Sequence, residues 1–175
     1  DALAEALGGP GLGASRAFTG RVNLTAEAHG VLTVDRAAVD RFNAIDPAIT
    51  LATLPPFTLC DPGRMTATLK IIPFAASEEA VAAARAVARA ARPILRLAPL
   101  RPRGAAVLHT VVPGLKDSVI AKTSSVLRER LRALGGWVSF ERSLPHDAGA
   151  LAAAIAEPPE DCALLLIVGG SAIVD

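Results

Sequence analysis

Aromatic residues are scarce in this sequence. They make up 3% of 175 residues, with one Trp, five Phe and no Tyr. The core must therefore be built from Ala, Leu, Val and Ile, and few rings exist on which single-stranded nucleic acid can stack. An excess of charge is also missing. Eighteen Lys and Arg face seventeen Asp and Glu, a formal net charge of +1. That balance lacks the footprint of a general polyanion binder, so nucleic acid is not an expected partner. Only two cysteines occur, Cys60 and Cys162. They are too few for a disulfide framework, and a reducing, cytoplasmic location is the expectation. No His/Cys cluster has zinc spacing. No apolar run approaches the ~20 residues of a membrane span, and no charged leader precedes a hydrophobic stretch. Neither a membrane partner nor secretion is expected. The first residue is Asp1 rather than Met, so the chain is expected to be a piece of a longer protein.

What is present is globular. Hydrophobic residues reach 51% and charged residues 20%, near the norm for folded domains. Residues 1–7 read as a helix end, stopped by four glycines and a proline within residues 8–13. Residues 20–34 read as strand, turn, strand, with His29-Gly30 at the turn. Asp35 is placed to cap a short helix bearing Val39, Phe42 and Ile45. Strands follow at 49–54 and 65–72, separated by Pro55-Pro56 and the turn Asp61-Pro62-Gly63. A helix over 77–92 has Ser77 as cap, Glu78 and Glu79 at its positive end, and arginines towards its negative end. The six arginines within residues 85–103 have no acid among them. They read as a solvated helix face plus a linker, and a domain boundary is expected near residue 100.

The remainder alternates. Residues 105–111, 137–141 and 162–168 read as strands, and 118–134 and 147–157 as helices. The third strand is so continuously apolar that burial on both faces is expected. Strand–helix–strand–helix–strand predicts a parallel sheet. Ligands in such sheets bind outside the carboxyl ends of the strands. Three segments qualify: 110–118, 143–147 and 169–175. The first holds Thr110, Pro113, Gly114, Lys116, Asp117 and Ser118, with Lys122 one turn on. A phosphate can be met there by backbone N–H groups and Lys116, although no Walker pattern occurs; Asp117 or Ser118 is the expected helix cap. The second holds His146 and Asp147, a cap candidate that can also serve acid–base work. The third opens with Gly169-Gly170-Ser171, suited to close backbone approach. Its Ile173 spoils a Gly-x-Ser-x-Gly elbow. His109, inside a strand, is expected to be a satisfied interior histidine, and His29 a turn residue.

These loops carry a resemblance. Residues 105–175 resemble the molybdopterin-binding domain of molybdenum-cofactor biosynthesis proteins. The similarity rests on Thr110 at a strand end, Lys116-Asp117-Ser118 at a helix start, Asp147 in the second loop, and Gly169-Gly170-Ser171 followed by Asp175. Upstream, Gly20-Arg-Val-Asn-Leu, Asn43-Ala-Ile-Asp46, Ala52-Thr-Leu-Pro-Pro-Phe57 and Lys70-Ile-Ile-Pro-Phe74 resemble a bacterial subgroup. In that subgroup the domain can precede a cofactor nucleotidyltransferase-like domain. Ile173-Val174 stand where the family has a small residue.

The resemblance implies an α/β fold: a three-layer, parallel-sheet molybdopterin-binding domain at 99–175, truncated on its C-terminal side. A small α+β domain at 17–98 and a helix end with linker at 1–16 precede it. The implied function is molybdopterin binding in cofactor biosynthesis or maturation, with Mg²⁺ as a candidate cofactor. Implied ligand contacts are Thr110, Pro113, Gly114, Lys116, Asp117, Ser118, Lys122, Gly169, Gly170 and Ser171, and Asp147 and Asp175 are the implied catalytic acids. No resident metal site is implied. Any enzymatic activity is expected to be that of a transferase. Two alternatives stand beside this reading: a metal-dependent nucleotide pyrophosphatase on the same domain, and a non-catalytic scaffold for a transferase domain or a second copy of the chain.

Overall fold

The computed structural model describes residues 2–170 except 92 and 158. The chain is a mixed α/β protein of two compact units, residues 1–100 and 101–175.

The first unit holds two antiparallel sheets and three helices. β1 (Leu12–Ala14), β2 (Arg21–Ala26), β6 (Met65–Ile71) and β4 (Ile49–Thr53) form one sheet in the order β1-β2-β6-β4. β5 (Leu59–Cys60), β3 (Gly30–Val34) and β7 (Leu95–Pro99) form the other, in the order β5-β3-β7. The expected strands at 20–34 are thus real but do not pair with each other. The tight turn between them hands the chain from one sheet to the next, and β7 pairs with β3 along five residues. β7 is hard to read in the sequence because Pro93 precedes it and Pro99 is its last residue, and prolines in so short a run read as a linker.

α1 (Ala2–Leu7), α2 (Arg36–Asn43) and α3 (Glu78–Ala90) complete this unit. Asp35 and Ser77 cap α2 and α3, accepting from the amides of Ala38 and Ala80, as their residue types demand. Residues 2–14, expected as a helix end and linker, are structural: Leu3, Ala4 and Leu7 enter the core and β1 pairs with β2. That core joins them to Leu24, Leu32, Phe42, Ile49, Leu51, Ala84, Ala88, Leu95 and Leu97. Alanine lets α3 approach closely, which is how a chain poor in aromatics closes its interior.

The second unit is built on a parallel sheet in the order β10-β8-β9. Its strands are β8 (Gly104–Val111), β9 (Trp137–Pro145) and β10 (Cys162–Val168), joined by α4 (Asp117–Ala133) and α5 (Ala148–Ala156). β8 is central and buried over seven of its eight residues. β9 runs four residues past the expected end, so Ser143–Pro145 are strand, paired as far as Val111↔Pro145.

β10 corrects one expectation. It is not buried on both faces: Leu164, Leu165 and Ile167 are exposed. Unbroken apolarity says that a strand wants cover, but cannot distinguish a central strand from an edge. Here β10 pairs with β8 alone among the described residues. α5, almost entirely apolar, has no buried residue either.

Candidate functional site

The carboxyl ends of β8, β9 and β10 meet around one side chain. Thr110 is buried near the end of β8. Its hydroxyl oxygen accepts the Gly170 N–H at 3.1 Å, lies 2.8 Å from His146 Nδ1, and faces the Val168 carbonyl at 3.3 Å. One hydroxyl thus links the residues after β9 and β10 to β8. Gly170 is required for this approach. A Cβ there would collide with the Thr110 carbonyl oxygen and come within 3.1 Å of the Val112 nitrogen. Its N–H is spent on Thr110, so Gly170 binds the fold together rather than offering a free donor. Gly169, one residue before it, is exposed. Ser171 and Asp175 lie outside the described residues.

Beside this junction runs an open groove of about 770 Å³. The loop after β8 supplies Val112, Pro113, Gly114 and Leu115; α4 supplies Asp117 and Ile120. Ser143, Leu144, Pro145 and His146 close the other side. Its walls are largely apolar, with a carboxylate, a hydroxyl and an imidazole as polar points. Gly114 takes φ +88°, a left-handed turn that a side chain resists. It redirects the chain into α4.

The start of α4 differs from expectation. Neither Asp117 nor Ser118 caps it. Lys116 occupies the cap position and makes no side-chain cap hydrogen bond, while Asp117 is the first helical residue. A lysine cannot accept from an amide, so the first amides of the helix carry no side-chain partner. They keep the partial positive charge of a helix N-terminus. Lys116, Ser118 and Lys122 are exposed, and none of them lines the groove. Of the ten expected ligand residues, Pro113, Gly114 and Asp117 line it, while Thr110 and Gly170 bond to each other at the junction beside it.

Asp147 caps α5, its Oδ1 accepting from Ala150 N–H at 2.9 Å. No cluster of three or more His, Cys, Asp or Glu side chains able to hold a metal exists among the described residues. His146 is the functional candidate that residue spacing undervalued. Its position beside Asp147 favoured a capping explanation, whereas only the parallel pairing brings it to Thr110.

The remaining histidine of this unit belongs to the packing. His109 Nε2 lies 2.9 Å from Glu141 Oε1 and 3.3 Å from Ser124 Oγ. Ser124 also donates to Glu141, and Arg128 pairs with the second carboxylate oxygen. Partial burial works to raise the Glu141 pKa, but hydrogen bonds from Ser124 and His109 and the Arg128 charge together hold it below the usual range. This cluster fastens α4 to β8 and β9. No protein-family model, curated protein or solved structure matches the chain.

Proposed function

We propose that the second unit is a molybdopterin-binding α/β domain serving cofactor biosynthesis or maturation. The observation that carries the reading is the tie at Thr110, which draws the strand ends into one rim beside the groove. Molybdopterin is a planar pterin carrying a dithiolene and a terminal phosphate. The groove's volume falls within the ~300–1,000 Å³ of ordinary small-molecule sites. Asp117 and Ser143 offer polar partners for the donor-rich pterin edge, and the apolar walls from Val112, Leu115 and Leu144 suit its faces. The open start of α4 is complementary to an anionic group.

Asp147 is engaged as a cap, and Asp117 is the carboxylate that lines the groove. Binding is the role these residues support, and no step is assigned to a metal. The nucleotidyltransferase-like partner remains part of the proposal, as the consumer of a bound pterin.

Titration of the full chain with molybdopterin tests the reading. Saturable one-to-one binding is expected. Ser143→Trp, a substitution at an exposed groove residue, should weaken it at least tenfold while leaving the far-UV spectrum unchanged. Equal affinity in the two proteins would remove the groove from the site.

A further inference from the structure

We propose that His146 reads the bound molecule through a hydrogen-bond donor at Nε2, and that the Thr110 hydroxyl sets this donor in place. The inference rests on the groove being the binding site. The ligand atom it selects is an acceptor oxygen, either a pterin carbonyl or a phosphoryl oxygen.

A backbone N–H can only donate, so Gly170 uses one acceptor position of Thr110 Oγ1. The hydroxyl has one proton to give, and two acceptors compete for it. His146 Nδ1 lies at 2.8 Å and the Val168 carbonyl at 3.3 Å. The His146 contact is the shorter of the two, and we assign the hydroxyl proton to it. The competing arrangement, in which Nδ1–H donates to Oγ1 and the hydroxyl donates to the Val168 carbonyl, fits the same distances and is the one that the tautomer measurement below tests. In the assigned arrangement Nδ1 of the neutral ring is an acceptor, and its one N–H sits at Nε2. His146 is exposed and lines the groove, and Nε2 has no partner among the described residues. A donor is thus held ready at the groove wall by a buried side chain.

The same geometry tolerates protonation. The imidazolium would donate from Nδ1 to Thr110 Oγ1, and the hydroxyl would turn its proton to Val168. Nε2 is a donor in both charge states. Asp117 lines the same groove, and Asp147 follows His146 in the chain. Neither is hydrogen-bonded to the ring, which leaves Thr110 as the positioning residue.

The test uses the full chain labelled with ¹⁵N in histidine, studied by long-range ¹H–¹⁵N correlation at alkaline pH. The Nε2–H tautomer is expected for His146 in the wild type and in Thr110→Ser. Thr110→Val should move the Nδ1 resonance, because that nitrogen loses its donor. A wild-type ring carrying its proton on Nδ1 would overturn the role of Thr110. Two probes, pterin and inorganic phosphate, are then titrated separately. Whichever binds should shift Nε2 and lose roughly tenfold in affinity in His146→Phe, with His146→Gln keeping more than Phe, as expected for one hydrogen bond. The responding probe identifies the oxygen as carbonyl or phosphoryl. Equal affinity in wild type and His146→Phe would overturn the role of His146 and leave the groove standing. Failure of both probes to bind the wild type would overturn the groove reading and the inference with it.

Discussion

Individual residues divide into those that spacing identifies and those that only pairing can. Asp35, Ser77 and Asp147 were legible as caps because a short acceptor side chain three residues before an amide has one evident use. His109 was legible as interior because it interrupts an apolar strand. Thr110 and His146 were not legible as a pair. They stand 36 positions apart in sequence and meet only through the β8–β9 register. Two predictions belong at this scale. Cys60 is fully buried, and burial raises its thiol pKa against the weaker, opposing effect of Arg64, with Asp61 adding slightly to the rise. It should resist alkylation in the native protein, with Cys162, which is partly exposed, reacting first; peptide mapping after brief iodoacetamide treatment reads the order. Glu141 has a folded pKa below its unfolded one. Its stabilisation is complete above the ordinary carboxylate value, ~4.3, and is lost as pH falls through the lower folded value. Glu141→Gln should flatten the acid limb of the stability curve below that point, measured by urea unfolding across pH.

At the level of elements, helix existence followed from periodicity and caps, while helix starts and strand exposure depended on tertiary pairing. α4 is the instructive case. Asp117 and Ser118 both look like caps, yet the left-handed turn at Gly114 puts Lys116 in the cap position. The helix consequently begins without side-chain help. Lys116→Asp should stabilise the second unit by about 1 kcal/mol, the typical value of an N-cap, whereas Asp147→Ala should destabilise it by a similar amount. Chemical denaturation of each variant checks both signs. β10 shows the converse. Its composition suits a buried strand, and its place at the sheet edge leaves three large apolar side chains exposed. Composition reports what a strand would gain from cover, and topology decides whether it receives any.

On the scale of the whole molecule, the two units differ in how well each is filled. The first has a continuous core drawing on all three helices and both sheets. The second buries chiefly the apolar residues of β8, with Leu131 and Leu144, and α5 contributes no buried side chain. Local stability follows buried apolar contact. Amides of β10 and α5 should therefore exchange with deuterium faster than those of β2 and β6, which mass-spectrometric exchange resolves. The alternation of strands and helices made the parallel sheet readable in advance. The two-sheet arrangement of the first unit was not readable, because its short strands carry no mark of which partner they choose.

The proposed site for molybdopterin is the groove at the strand ends. Backbone amide chemical-shift mapping of the full chain with molybdopterin addresses this directly. The account predicts that perturbations concentrate at residues 111–117 and 143–147 and saturate together. Perturbations confined to the first unit, or none at all at saturating ligand, would contradict it.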